Sequence, residues 1–418
     1  MNYPKKTWNV IVTMREIMNH NLIITEKNHI VYYGYFCNGE PLELYCEKKE
    51  QQSILGDIYA ARVERVAEGI GGAFLEISDG RKCYYSLPKA GQPKPIKLSA
   101  GHENRLCGGD VILVQIVKDA VKTKLPVGDG NISLTGKYFV LTLSDKRAGI
   151  SKKITKKEER DRLSAIAEGF RDEGYGIVIR TNACGAKPEI LEQELLELTA
   201  RYRELMRRAK IAPGKTLLYR NPPHFISFGR DLPARQLTKI MTDRVDIFEE
   251  LKQFYGEKGD REILEKISFY EDSYDLFKLY RFEHHYEKAR EKHVWLKSGG
   301  SLVIEQTEAM VVIDVNTGCV TKSKKQAQNI FFQMNCEAAK EIAAQLRLRN
   351  LSGIILIDFI NMKEKKQQEK LLALLAAECT KDRVPVRVVD MTALNLVEMT
   401  RNKVRKPLHE QWRDCHSQ

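Results

Sequence analysis

The sequence predicts an α+β protein of several domains, and three observations support that fold class. The chain has 418 residues, which corresponds to two to four domains at about 100–200 residues each. Its first third contains short apolar runs separated by turn residues and glycines, a pattern typical of antiparallel sheets and small barrels. Its last third alternates strand-like runs with long helical segments, which is typical of an α/β layer.

The N-terminal part is predicted to contain two β structures. The segment Asn21–Glu47 alternates apolar runs with turn residues and predicts a β-meander. From Ile54 to about Thr142, several strand-like runs rich in glycine and β-formers predict a small closed β-barrel.

Helices dominate the middle of the chain. A basic run at Lys152–Lys157, typical of a solvated face, precedes a helix and the strand YGIVIR. A long amphipathic helix is predicted over Glu189–Ala209, and further helices near Leu232–Tyr255 and over Leu276–Lys292.

The C-terminal third gives the clearest pattern. Two strands are predicted in SLVIEQTEAMVVIDVNTG, followed by a helix over Lys324–Arg349 with one apolar stripe. The apolar strand GIILIDFI, a helix over Glu364–Ala377 and the strand VPVRVVDM complete the layer.

Charge and composition narrow the class of protein. The formal net charge is +12, which suits a polyanionic partner or serves solubility. No apolar run approaches the roughly 20 residues of a membrane span and the N-terminus lacks a signal-peptide pattern, so we expect a cytoplasmic protein. The nine cysteines form no CxxC pair, so structural zinc is not expected.

Two aspartates occupy matching positions in the C-terminal third. Asp314 lies in VVIDVN and Asp358 in LIDFIN, each as the lone carboxylate of an apolar run. One strand–helix–strand unit joins them, so both would lie near the same end of a sheet. Together with the amide oxygen of Asn316 they suit Mg²⁺. The residues alone leave a second interpretation open, in which each carboxylate caps a turn or pairs with an arginine.

Four other residues carry binding chemistry. Phe74 and Lys118 lie on strands of the predicted barrel, where an aromatic ring and a cation would bind a base and a phosphate of a single strand. A Phe in a strand is more often part of the core. Arg180 and Thr181 follow a strand and can bind a terminal phosphate, although an ordinary surface arginine fits the pattern too.

Long motifs of this chain resemble the catalytic core of the bacterial ribonuclease E/G family. These motifs are SGGSLVIEQTEAMVVIDVNTG, NCEAAKEIAAQLRLRNLSGIILIDFINM, GDIYAARVERVAEGIGGAFLEI and IVIRTNACG. The resemblance covers roughly residues 20–405 and favours the compact, ribonuclease G-like form of the family.

The resemblance implies an RNase H-like subdomain interrupted by an S1 (OB-fold) barrel and a 5′-sensor segment, with a DNase I-like catalytic subdomain after it. The expected divisions are the RNase H-like part and its N-terminal extension at 1–52, the S1 domain at 53–135, the sensor at 136–222, the second RNase H-like part at 223–289, the catalytic subdomain at 290–403 and a tail at 404–418.

The resemblance also implies residue roles. Asp314 and Asp358 would hold a catalytic Mg²⁺ with support from Asn316. Phe74 and Lys118 would bind RNA, with Tyr85 as the second stacking aromatic where the family has Phe-Leu-Pro. A pocket at Arg180 and Thr181 would sense a 5′-monophosphate.

The implied activity is Mg²⁺-dependent endonucleolytic cleavage of single-stranded RNA in RNA processing and decay, leaving 5′-phosphate products. Family members commonly end in Cys-Pro-x-Cys, through which subunits share zinc. The sequence has a single cysteine near its end, Cys415, so we expect any homodimer to form without a zinc bridge. The alternatives are a non-catalytic RNA-binding protein with this fold and, less well matched, a small-molecule phosphatase.

Overall fold

The structure is a computed structural model, and it describes residues 18–50, 53–78, 80–88, 94–99, 105–120, 124–143, 146, 148–172, 174–233, 235–257, 259–318 and 324–417. The strands are β1 (His20–Lys27), β2 (Ile30–Cys37), β3 (Glu40–Lys48), β4 (Ile58–Ala67), β5 (Gly72–Ser78), β6 (Arg81–Ser86), β7 (Val111–Lys118), β8 (Val127–Asp129), β9 (Ser133–Thr135), β10 (Phe139–Thr142), β11 (Gly149–Ile150), β12 (Gly176–Ile179), β13 (Thr216–Tyr219), β14 (Leu237–Thr242), β15 (Ile267–Phe269), β16 (His293–Trp295), β17 (Ser301–Gln306), β18 (Met310–Asn316), β19 (Gly353–Asp358), β20 (Val386–Met391) and β21 (Leu396–Arg401). The helices are α1 (Lys157–Glu168), α2 (Pro188–Ile211), α3 (His224–Asp231), α4 (Val245–Glu257), α5 (Arg261–Leu264), α6 (Leu276–Leu279), α7 (Phe282–Arg290), α8 (Lys324–Leu348), α9 (Lys365–Cys379) and α10 (Leu408–His416).

The first sheet has the strand order β15-β14-β1-β2-β3. Strands β1 to β3 form the antiparallel meander expected from the sequence. Strand β14 joins the far side of β1 in parallel, with Leu22 opposite Ile240. The prediction of helix near Leu232–Tyr255 is therefore wrong for residues 237–242, and only α4 of that stretch is helical. Tertiary pairing with a buried neighbour overrides local preference in this short segment.

The second sheet is a closed barrel, as the sequence predicts. Strands β4, β5, β6, β8 and β7 follow one another, and β4 also pairs with β7. The interior is apolar and includes Val63, Leu75, Cys83 and Val114. The barrel was predicted to extend to Thr142, but β9 and β10 belong to a different sheet. They pair with each other and with β12, because β10 finds its partner beyond α1 rather than in the barrel.

The third sheet has the order β11-β12-β10-β9 and packs against α2. The turn between β9 and β10 is held by Glu194 of α2. Its carboxylate oxygens accept hydrogen bonds from the backbone N–H groups of Lys137, Tyr138 and Phe139, with N···O distances of 2.5–2.9 Å. A Cβ at Gly136 would lie 2.6 Å from this carboxylate, so glycine is required for the close approach.

The C-terminal sheet has the order β16-β17-β18-β19-β21-β20. Strands β18 and β19 are parallel, which requires the crossover that α8 provides. Helices α8 and α9 cover one face, where the alternate residues Val311, Ile313 and Val315 of β18 are buried. The predicted strands and helices of this region are present. Strand β21, which the sequence analysis missed, lies between β19 and β20 and pairs with both.

Contacts join the C-terminal sheet to the two other layers. Lys153, beside β11, donates to the carbonyl oxygens of Thr380 and Asp382 at the end of α9, at 2.9 and 2.8 Å. Cations are favourable at this end of a helix. Arg383 and Glu43 of the first sheet form an ion pair at 2.7 Å. Within the described part of the chain, no helix is both long and apolar enough to cross a membrane.

Candidate functional site

Asp314 and Asp358 are direct neighbours in the C-terminal sheet. They are register partners on the parallel strands β18 and β19, near the carboxyl ends of both strands. Adjacent strands lie about 4.8 Å apart, so the two carboxylates start from neighbouring backbone positions. The sequence analysis expected this placement from the single strand–helix–strand unit that separates the two residues.

The alternation of side chains along β18 directs Asp314 away from the helices. Because Ile313 and Val315 point into the core, Asp314 and Asn316 lie on the opposite face. Asp358 occupies the same face of β19 and is exposed. The carboxylates therefore lie on the face of the sheet that α8 and α9 leave uncovered.

Asn316 is in direct contact with Asp314. Its Nδ2 donates to Oδ2 of Asp314 at 2.7 Å, which orients that carboxylate. The structure thus brings together the three residues expected to form the catalytic centre.

A buried residue of α8 fixes the chain just after Asp358. Asn335 is fully buried, donates from Nδ2 to the carbonyl oxygen of Ile360 at 2.8 Å, and accepts its N–H at 3.0 Å. The sequence analysis missed this positioning residue. A polar side chain within the buried stripe of a helix, next to Met334, was the signal that could have identified it.

The carboxylate pair fits a hard divalent cation. Two neighbouring carboxylates repel each other unless a positive charge or a proton lies between them. Neither Asp314 nor Asp358 forms an ion pair with any residue that the structure describes. Mg²⁺ is typically held by one or two carboxylates and keeps several waters. The described residues contain no group of three or more His, Cys, Asp or Glu side chains that could hold a metal.

In the part of the chain that the structure describes, Asp358 is exposed and Asp314 is partly exposed, and neither residue lines the two cavities given below. Cavities of about 560 and 320 Å³ are lined by other parts of the chain, the first between β3, the barrel and α10, and the second between α2 and α5. An exposed sheet face is accessible to a polymer, whereas small substrates usually bind in concave pockets.

The barrel presents an aromatic pair on its outer surface. Phe74 of β5 is directly opposite Tyr84 of β6, and their rings meet edge to face with centroids 6.1 Å apart. Tyr85, which the resemblance implies as the second stacking aromatic, does not lie on this outer surface. Tyr85 is only 2 % exposed and packs inside the barrel, because Cys83 and Tyr85 share the inward face of β6.

Cations lie at both ends of the aromatic pair. Arg65 of β4 is the register partner of Phe74, and its guanidinium lies 5.1 Å from the centre of that ring. Lys118 is exposed at the end of β7. Val127 of β8 is the register partner of both Lys118 and Tyr84, so these two residues lie on strands either side of β8 at the same level. We call Arg65, Phe74, Tyr84 and Lys118 the barrel row. The sequence analysis identified Phe74 and Lys118, and it missed Arg65 and Tyr84.

Arg180 and Thr181 lie together at the end of β12. Nη1 of Arg180 donates to the carbonyl oxygen of Gly136 and, at 2.8 Å, to Asp231. Thr181 is exposed, and its hydroxyl lies 2.9 Å from that of Ser151. The guanidinium is thus positioned by an internal ion pair.

Asp231 is the carboxylate that anchors Arg180. Burial raises the pKa of Asp231, but the guanidinium groups of Arg230 and Arg180 outweigh burial, so its pKa lies well below the usual range. The carboxylate therefore stays ionised at neutral pH and stabilises the fold there. This contribution is lost only in acid, as the pH falls through the folded-state pKa.

Comparison with known proteins gives a consistent result over most of the chain. The model of the ribonuclease E/G family matches residues 133–404. Ribonuclease G of Haemophilus influenzae is 35% identical over 375 residues, which cover 88% of this chain and 76% of that protein. Ribonuclease G of Escherichia coli strain K12 is 32% identical, covering 90% and 78%. Ribonuclease E of Nostoc sp. is 31% identical, covering 95% and 58%. The match of the family model and these similarities show that the chain belongs to the ribonuclease E/G family.

Proposed function

We propose that this protein cleaves single-stranded RNA internally at a Mg²⁺ site formed by Asp314 and Asp358. Membership of the ribonuclease E/G family makes the chain an endoribonuclease. The observation that carries the metal proposal is the direct pairing of the two aspartates on adjacent parallel strands, on an open face of the sheet.

Each residue of the site has a distinct task in this proposal. The carboxylates of Asp314 and Asp358 hold the metal, and Asn316 fixes the orientation of the Asp314 carboxylate through its 2.7 Å hydrogen bond. When bound, Mg²⁺ supplies charge stabilisation and an activated water for attack on the phosphodiester. Asn335 keeps the chain after Asp358 in place from the opposite side of the sheet. The proposed products carry a 5′-phosphate and a 3′-hydroxyl.

The barrel row is the proposed binding platform for the RNA strand. Bases stack on Phe74 and Tyr84, and the phosphates bind the cations of Arg65 and Lys118 at the two ends. A row of this kind binds single strands with little sequence preference, because every base has a π-face. The barrel corresponds to the S1 domain that the resemblance implies.

The proposed sensor of the RNA 5′ end is the site at Arg180 and Thr181. A guanidinium and a hydroxyl together suit a terminal phosphate. The ion pair to Asp231 fixes the guanidinium before the ligand arrives, which lowers the entropic cost of binding. In this proposal the site favours RNA with a 5′-monophosphate, and the protein acts in RNA processing and decay.

A single assay tests the proposed function. The protein is incubated with a 5′-monophosphorylated single-stranded oligonucleotide in Mg²⁺, or in EDTA. We expect internal cleavage with Mg²⁺ and none with EDTA, because the carboxylate pair alone supplies no activated water. Full restoration by added Mg²⁺ is the control. RNA binding without cleavage under every divalent ion would instead indicate a non-catalytic RNA-binding protein.

Replacement of Arg180 by Ala tests the sensor. We expect the preference for 5′-monophosphorylated over 5′-triphosphorylated RNA to fall by about 10- to 150-fold, since a charge-assisted hydrogen bond is worth roughly 1.5–3 kcal/mol. The measurement is the ratio of kcat/KM for the two RNAs, which cancels any general loss of folded protein. Arg171→Ala, at an exposed arginine after α1, is the matched control. An equal loss on both RNAs contradicts the sensor role.

A further inference from the structure

One tryptophan of the C-terminal sheet, called the catalytic sheet below because it carries Asp314 and Asp358, lies open to solvent. Trp295 ends the edge strand β16 and is 77% exposed. An exposed indole offers a large flat ring on which a ligand can stack. Val294, between His293 and Trp295, packs against the core. The exposed side chains of β16 therefore lie on one face of the sheet.

The exposed face of β16 is the face that carries the carboxylate pair. Register partners on neighbouring strands share a face of the sheet. From β16 to β19, one such row consists of His293, Val303, Asp314 and Asp358. Trp295 is likewise opposite Ser301, which is opposite Asn316. Two strand spacings across the sheet and two residues along the strand place the backbone of Trp295 about 12 Å from that of Asp314. The indole and the carboxylates are therefore on the same surface, within reach of one RNA strand.

The hairpin that carries Trp295 is fixed to the catalytic centre. The carboxylate of Glu337, on α8, accepts the N–H of Lys297 at 2.7 Å. A Cβ at Gly300 would lie 2.8 Å from the carbonyl oxygen of Asn316, so the hairpin packs directly on the end of β18. The position of Trp295 is thus set by the elements that position the carboxylates.

We propose that Trp295 stacks on a base of the RNA a few nucleotides from the bond that is cut. This inference rests on the proposed function, and it adds a substrate-binding residue at the catalytic sheet, separate from the barrel row. The indole offers a large rigid surface with few rotatable bonds, which suits sequence-tolerant stacking. The carboxylates repel the phosphates where no metal intervenes, so a stacking contact beside them holds the strand through its bases.

The test uses Trp295→Ala and a series of oligonucleotides cut at one known bond. In each oligonucleotide one nucleotide near that bond is abasic. For the wild-type protein we expect kcat/KM to fall about 5- to 100-fold at one abasic position. Trp295→Ala should lower kcat/KM on the intact oligonucleotide by a similar factor and show no further loss at that position. Trp295→Phe should retain most of the activity.

Ile211→Ala is the matched control, because Ile211 is 75% exposed at the end of α2. Wild-type activity of Trp295→Ala, or the same abasic profile in both proteins, overturns the inference and leaves the proposed function intact. A changed sedimentation coefficient assigns Trp295 to a subunit contact and also overturns it. Failure of the wild-type protein to cut any oligonucleotide overturns the proposed function itself.

Discussion

We expect Asp314→Asn to lower the rate of RNA cleavage by about 10²- to 10⁴-fold, since metal stabilisation of the transition state is worth several kcal/mol. Asparagine has nearly the same shape as aspartate and keeps the acceptor oxygen, so the sheet and the contact with Asn316 are retained. What is lost is one of the two negative charges that hold the cation. We expect the same loss for Asp358→Asn, because the two residues are equivalent register partners.

The measurement is single-turnover cleavage of a labelled oligonucleotide over a range of Mg²⁺ concentrations. RNA affinity measured in EDTA should stay within a factor of about two of the wild-type value, since the barrel row is unchanged. Asp161→Asn, at an exposed aspartate of α1, controls for the loss of one negative charge elsewhere. Cleavage at the wild-type rate by Asp314→Asn would rule out the metal assignment.

We expect Phe74→Ala to weaken the binding of single-stranded RNA by about 5- to 100-fold, because one base would lose its stacking partner. Truncation of Phe74 also removes the ring over which Arg65 lies, so the cation loses its fixed position. Tyr84→Leu should reduce affinity in the same range. The measurement is the Kd of a non-cleavable oligonucleotide, obtained by fluorescence anisotropy at a fixed salt concentration.

The adjacent tyrosines of β6 provide an internal control. Tyr84→Leu changes an outer residue, so it should lower RNA affinity and leave the unfolding temperature nearly unchanged. Tyr85→Leu opens space in the barrel core, so it should lower the unfolding temperature and leave the RNA affinity of the folded protein unchanged. The opposite pattern would show that Tyr85, not Tyr84, contacts RNA.

Most of the C-terminal sheet could be predicted because its signals are local. Asp314 and Asp358 each interrupt an apolar strand, and the helix between them spans the distance that a parallel crossover needs. Strand β21 was missed because its place between β19 and β20 depends on pairing across the sheet, not on its own residues. Local patterns identify strands more readily than they identify the order of strands.

The barrel row shows a second limit of sequence analysis. The run KCYYS contains two adjacent tyrosines, Tyr84 and Tyr85. Because side chains alternate between the two faces of a strand, one tyrosine must face inward, but the sequence does not show which one. The register with β5 decides it, because Leu75 opposite Cys83 sets the inward face and Phe74 opposite Tyr84 sets the outward face. Strand irregularities in β4 and β5 make this register difficult to count from the sequence.

The parallel pairing of β1 with β14 affects how the protein is made. His20 and Thr238, which share a hydrogen bond, are 218 residues apart in the chain. At a translation rate of about 5–20 residues per second, the meander waits roughly 10–40 s on the ribosome before its missing strand emerges. The barrel is synthesised in that interval and can close on its own residues. In nascent chains stalled before residue 237, we therefore expect the folded barrel to resist proteases. The unpaired edge of β1 should remain open to mispairing and to binding by chaperones.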